Sequence, residues 1–456
     1  MKATFFAVTS FLATLFLYSS CQKYLDLKAS ANVSIPSNLD DVEYLLNNSQ
    51  FLNFSSASLG NGSTDDLFLA PSVYQASSER ERDAYRWEWQ DYNFANEWSR
   101  TYRAVNITNV CLEALDRIER TDSNVERWNH LRGAALVFRA FHFLNAIWTY
   151  SLAYDKTSSV NEPGIVLRVS TDVNEMSKRS TVEECYNKIL SDLEEAAPMI
   201  RTTSELPVLP TRATAYALLA RTYLSMRKYD EALHYSNLCL SLKSDLLDYG
   251  TDISISSSLT TPFERFNKEV IFTAQAFPSY NSERPSHASV DTGLVNQYEP
   301  NDLRKQAFFA TRSNGTIQFK GVYGLNANDF FTGITTAEMY LIRSECLARA
   351  GEVHLALEDL NTLLKKRWDK NGVFEPKVAE GKETALELIL LERRKELVTR
   401  NLRYIDIKRL NKEGRGLSLT RIAGENTVSL LPNDRRWAFP LPADIIAQTQ
   451  MPQNEY

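Results

Sequence analysis

Residues 211–242 read TRATAYALLARTYLSMRKYDEALHYSNLCLSL. Apolar and small side chains recur there three and four positions apart, at Tyr216, Leu219, Ala220 and Tyr223 and then at Ala232, Leu233, Cys239 and Leu240. That spacing draws one stripe along each of two helices, and the period breaks at Arg227–Asp230, where the chain folds back. The form Y-x-x-L-A-x-x-Y, followed by an alanine nine residues after the second tyrosine, fits the tetratricopeptide pattern, in which small residues let antiparallel helices approach closely. Ser236 departs from it, since a bulky aromatic is expected there. One such hairpin cannot bury its own face, so further helix pairs are expected on either side.

Downstream, TTAEMYLIRSECLARAGEVHLALEDLNTLLKKRW repeats the spacing at Tyr340, Ser344, Leu347, Ala356 and Leu360, with a turn at Ala350–Glu352. ETALELILLERRKELVTRNLRYIDIKRLNK continues the helices. Upstream, STVEECYNKILSDLEEAAPMI is a helix capped by Ser180 or Thr181, with Glu183 and Glu184 in its first turn. Two longer helices, Asn96–Arg120 and Val125–Tyr150, precede it. A short one spans Ser37–Asn47, where Ser37 is the expected cap and Asp40, Asp41 and Glu43 suit the positive end of the helix. The expected class is therefore mainly α, with tetratricopeptide-like pairs at about 96–150, 180–242 and 334–410.

Two segments lose the helical period. Residues 53–95 begin Ser, Asn and Gly rich, then carry Tyr74, Tyr85, Trp87, Trp89, Tyr92 and Phe94 ahead of Trp98. Residues 246–332 hold the alternating KEVIFTAQAF, read as a short strand, among Ser, Asn, Pro and Gly. A loop region of this length inside a compact protein is either functional or disordered, and its aromatic content favours function. The closing RWAFPLPADIIAQTQMPQNEY is too proline-rich at its start for a helix and should lie extended across the fold.

Composition narrows the rest. With 43% hydrophobic and 24% charged residues over 456 positions, the chain can build a substantial core. A net charge of -6 without a basic block argues against nucleic acid as the main partner. The start, MKATFFAVTSFLATLFLYSSC, joins a basic Lys2 to an apolar run too short to span a bilayer, and so reads as a secretory signal over 1–20. Small residues before Cys21 are similar to a bacterial lipoprotein signal, in which that thiol is acylated. Cys111, Cys185, Cys239 and Cys346 lie in helical patterns without metal-ligand spacing and read as small buried side chains.

No catalytic signature emerges. The five histidines are scattered, GxSxG, HExxH, P-loop and GxGxxG motifs are missing, and no cofactor or metal is expected. Asp65 and Asp66 are adjacent, whereas glycosidase acids come from distant parts of a chain, so loop hydrogen bonding is the better reading of that pair. Binding fits more of the residues. Flat rings offer apolar faces to sugar C–H groups or peptide side chains, while neighbouring polar groups take up hydroxyls or amides. The candidates are Asp66, Trp87, Trp89 and Asn93 in the first irregular segment, and Tyr280 and Tyr298 in the second. Each tryptophan has an alternative reading as packing beneath the helix pairs.

Taken in order, CQKYLDL, NEWSRTYRAVNITN, LRGAALVFRAFHF, RSTVEECYNKILSDLEEA, RATAYALLARTYLSMRKYDEAL, AEMYLIRSECLARAG, LERRKELVTRNLRYIDIKRL and FPLPADIIAQTQMPQNEY resemble the RagB/SusD-like family of Bacteroidetes outer-membrane lipoproteins. The resemblance covers nearly the whole chain, as one domain over 21–456. It implies a superhelix of tetratricopeptide-like pairs packed against an irregular, loop-rich half with a few short strands. It further implies a non-catalytic protein lipid-anchored through Cys21 to the outer membrane. Its partner would be a SusC-like TonB-dependent transporter, to which it delivers oligosaccharide or peptide. Ligand regions carry over only as Asp65–Asn93 and Tyr280–Tyr323. A helical scaffold that binds only protein partners is the alternative from a different class.

Overall fold

The computed structural model describes residues 36–88, 91–92, 96–258, 260–276, 278–324 and 330–456. The leader, Cys21, Trp89 and Asn93 lie outside the described residues. Helix α1 (Leu39–Leu46) starts one residue later than expected: Asn38 is its cap, accepting from the Asp41 N–H, while Ser37 turns round and donates to the Asp41 carboxylate. In the first irregular segment, α2 (Glu79–Tyr85) begins with a capping box between Ser78 and Glu81.

The stack proper begins at α3 (Glu97–Arg117), capped by Asn96, and α4 (Val125–Tyr150). Every residue of α4 from Gly133 to Tyr150 is buried, as befits a helix enclosed on all sides. Next come α5 (Val182–Met199), for which Thr181 is the cap, then α6 (Arg212–Ser225) and α7 (Tyr229–Leu242). The turn between the last two places Arg227 at φ +61°. At the departure from the repeat pattern, Ser236 is buried with its hydroxyl donated back to the Leu233 carbonyl. The aromatic filling is supplied next door, where Tyr235 stacks on Tyr223 at 5.6 Å with the rings nearly parallel.

The stack ends with α8 (Thr336–Ala350), α9 (Val353–Lys365), α10 (Lys382–Glu396) and α11 (Arg403–Asn411). Neighbours in sequence are neighbours in space from α3 to α9, and α7 packs on α8 although residues 243–335 intervene. Buried ion pairs tie the layers. Arg139 on α4 holds Asp192 on α5 through two bonds of 2.8 Å and also donates to Asn109 on α3. Arg221 on α6 grips Glu338 on α8, and Arg409 on α11 grips Glu345 on α8. Taking such charges out of water is costly unless they are paired and hydrogen-bonded in this way.

The irregular half is stitched by short antiparallel pairs: β1 (Leu67–Phe68) with β4 (Ser289–Val290), β2 (Val270–Phe272) with β8 (Ile334–Thr335), β3 (Gln275–Ala276) with β7 (Phe330–Phe331), and β5 (Phe309–Thr311) with β6 (Ile317–Phe319). A hairpin of β9 (Leu419–Ala423) and β10 (Asn426–Leu430) follows the helices. The β1–β4 pair matters for function because it joins the two irregular segments, more than 200 residues apart in sequence. A second core of Tyr249, Phe263, Phe308, Phe309, Phe319 and Tyr323 sits under them.

The tail opens on a 3-10 turn at Arg435–Trp437 and only then runs without helix through Phe439, whose N–H donates to the Thr149 carbonyl, to Pro442. It then departs from the expected extended path by forming a helix, Ala443–Thr449. The four described cysteines are buried and unbridged. The fold is mainly helical, with few and short strands.

Candidate functional site

Where the two irregular segments meet the start of α3, they leave an open cavity of about 310 Å³. One wall is Ser78, Arg80 and Glu81 from the beginning of α2; the other is Ser279, Tyr280 and Arg284; Tyr92, Glu97 and Arg100 complete it. The α2 capping box fixes the first wall, and Glu81 also accepts from the Asn281 N–H at 3.2 Å, which couples the walls. Arg80 lies across both aromatic rings. Its guanidinium carbon is 5.3 Å from the Tyr92 centroid and 5.6 Å from that of Tyr280, and its Nε donates to the Tyr280 hydroxyl at 3.2 Å. The Tyr92 hydroxyl donates to the Pro440 carbonyl, so the tail helps to set this ring.

Behind the cavity two buried carboxylates face one hydroxyl. Ser58 Oγ lies 2.8 Å from Glu97 and 2.9 Å from Glu283. Glu97 also accepts from the Ser58 and Leu59 N–H groups, and Glu283 from those of Ser279 and Tyr280. Burial, with Glu97 beside it, pushes the Glu283 carboxyl up to about 8, and burial raises Glu97 as well. At neutral pH the pair therefore retains a proton. This cluster fastens residues 58–59, the start of α3 and the 279–283 loop into one unit.

The sequence candidates separate sharply. Tyr280, 5% exposed, lies in the cavity wall with its ring under Arg80. Trp87 and Tyr298, at 2% and 3%, are enclosed instead and present no face to solvent. Trp87 donates its Nε1 to the Ser63 carbonyl beneath the Arg421 guanidinium, 4.6 Å from its ring; Tyr298 donates its hydroxyl to the Lys395 carbonyl at 2.7 Å. Both serve packing, the alternative that large rings invite.

Asp66, 2% exposed, is also inside, accepting from Arg394 Nε at 2.8 Å, with burial holding its carboxyl above the usual range. Its neighbour Asp65 is bound by Arg403 through two bonds of 2.8 Å. There burial is outweighed by Arg403 and Arg394, which bring the carboxyl down to about 2. Arg80, Arg284, Glu97 and Glu283 are absent from the sequence-derived set. Their only sequence signal is that each stands inside, or at the edge of, an irregular segment.

A stack of helical repeats carrying a polar cavity in an irregular half defines a class of helical-repeat protein. Two family models place the chain more closely: one described as starch-binding and associating with the outer membrane matches residues 23–224, and the SusD family model matches 237–439. The chain belongs to the SusD-like family. Solved structures agree in fold. A SusD superfamily protein from Bacteroides thetaiotaomicron has a TM-score of 0.74 at 20% identity, covering 92% of this chain and 100% of its own. A SusD-like carbohydrate binding protein from Bacteroides vulgatus gives 0.68 at 20% over 91% and 97%. Surface glycan-binding protein A from Bacteroides fluxus gives 0.69 at 18% over 92% and 99%. No curated protein sequence matches the chain.

Proposed function

We propose that this chain is a non-catalytic cell-surface lipoprotein that binds oligosaccharide or polysaccharide and delivers it to a SusC-like TonB-dependent outer-membrane transporter. The observation that carries the binding reading is the cavity itself: it opens between two irregular segments on a SusD-family frame, with Tyr280, Tyr92 and Arg80 in its wall. The carbohydrate-binding names of structural relatives support the ligand class. Delivery to the transporter and anchoring at Cys21 rest on the family resemblance and on the sequence of the leader.

Affinity electrophoresis against a panel of neutral and acidic polysaccharides, with a reducing-end assay in parallel, tests the reading. One polysaccharide should retard the protein without being shortened, and Tyr280→Ala should weaken retardation while keeping the helical circular dichroism. Release of reducing ends, or retardation by none, would overturn it. For the anchor, Cys21→Ser should move the protein from the membrane to the soluble fraction and abolish palmitate labelling. A variant that stays membrane-bound and labelled would remove Cys21 as the attachment point.

A further inference from the structure

The accessible surface of the cavity is cationic, which bears on what the proposed glycan site would accept. The aromatic faces there are largely covered: Tyr92 and Tyr280 are both buried, and Arg80 lies over both rings. Arg80, Arg100 and Arg284 line the cavity together, in a chain whose net charge is -6.

Three guanidinium groups outnumber the two carboxylates of the lining, Glu81 and Glu97, and among the described residues neither carboxylate is hydrogen-bonded to Arg80 or Arg284. Glu81 accepts from the Ser78 N–H and hydroxyl at 3.0 Å and from the Asn281 N–H. Glu97 and Glu283 are buried on the Ser58 hydroxyl and on backbone N–H groups. The Arg284 guanidinium makes no ion pair or hydrogen bond among the described residues, although the residue is half-buried. Arg80 uses only Nε, leaving its two terminal nitrogens without a hydrogen bond among the described residues. Guanidinium groups held together with spare donors attract an anion, and their planar forks match the paired oxygens of a carboxylate or a sulfate.

We infer that the cavity selects anionic glycans, seating a sugar unit that bears a carboxylate or a sulfate ester between Arg80 and Arg284. This rests on the reading of the cavity as a glycan site and adds the charge of the glycan. A neutral sugar would leave the guanidinium groups unmatched on desolvation, whereas an acidic one satisfies them.

Calorimetry on the full chain separates the cases. The probes are oligogalacturonides, their methyl-esterified counterparts, κ-carrageenan oligosaccharides carrying sulfate without uronate, and neutral malto- and xylo-oligosaccharides. One acidic series should bind at least about tenfold tighter than the esterified and neutral ones, and its affinity should fall as salt rises. Oligogalacturonide binding would assign the carboxylate, carrageenan binding the sulfate. Arg284→Ala should lower that affinity by about tenfold and Arg284→Lys should restore part of it. Equal or tighter binding of neutral oligosaccharides, or an Arg284→Ala variant of unchanged affinity, would overturn anion selection while leaving glycan binding standing. If none of the probes, acidic or neutral, binds, the glycan reading falls and the inference falls with it.

Discussion

Trp87 holds a positive φ of +55° inside the core, a conformation kept by its surroundings rather than by its own preference. Its indole fills space beside Arg421, and Arg421 in turn donates to the Tyr85 and Thr64 carbonyls. Trp87→Ala should therefore cost about 3–5 kcal/mol of stability, read by chemical denaturation, and should affect a ligand only through folding. A stable variant with weakened binding would return Trp87 to the ligand face. The aromatic content of this segment was legible in the sequence, but which ring faced solvent was not, because that depends on where Arg421 lands from more than 300 residues away. Glu283 gives a second prediction. Its carboxyl sits at about 8 when folded against an ordinary 4.5, so the unfolded chain releases the proton first and stability falls as pH rises from about 5 to 7. Relative to the wild type, Glu283→Gln should remove up to about 1.4 kcal/mol per pH unit of that slope. Identical slopes in denaturation series for the two proteins would mean that the carboxyl is ionised in the folded state.

Helices were the most readable elements, since stripes, caps and turns are local. The Thr181–Glu184 capping box and the turns at Arg227 and Gly351 all follow from short-range rules. Gly351, at φ +91°, ends α8 with open space where a side chain would stand, so Gly351→Ala should cost about 1 kcal/mol from backbone strain alone, measured as a lowered denaturation midpoint. A neutral result would show that the turn relaxes. What periodicity hid was the burial of charge. LERRKELVTRNLRYIDIKRL looks like solvated helix, yet Glu392, Arg393, Lys395, Glu396, Lys408 and Arg409 are all buried, for instance with Arg304 reaching both Glu392 and Glu396. Glu392, Lys395, Glu396 and Arg409 are matched by charged partners from distant parts of the chain, Arg393 by Asp406, and Lys408 by the Trp148 and Ser151 carbonyls, and no local pattern encodes the distant pairings. Arg221→Met would leave Glu338 enclosed without its partner and should cost about 3–5 kcal/mol, whereas converting both to apolar residues should recover much of the loss. Equal losses in the single and double variants would contradict a paired role.

At the scale of the whole molecule, the ordered motifs were enough to reach the family, and the structure builds a helix stack from Glu97 to Asn411. The irregular half resisted reading because its strands are two or three residues long and most of them pair across wide sequence gaps, as β1 does with β4. The cavity inherits that difficulty: its walls come from α2, the start of α3 and the 279–284 loop, brought together by Ser58, Glu97 and Glu283. Of the sequence candidates among the described residues, Tyr280 lines it, while Arg80 and Arg284 carried no aromatic or motif signal to mark them. Hydrogen–deuterium exchange on the full chain, with and without a saturating glycan that retards it in affinity electrophoresis, addresses the central claim directly. Binding in the cavity predicts slowed exchange in residues 78–84 and 279–287 with α5–α7 unchanged. Protection confined to the helix stack or to the β9–β10 hairpin, with these two segments unaffected, would contradict it.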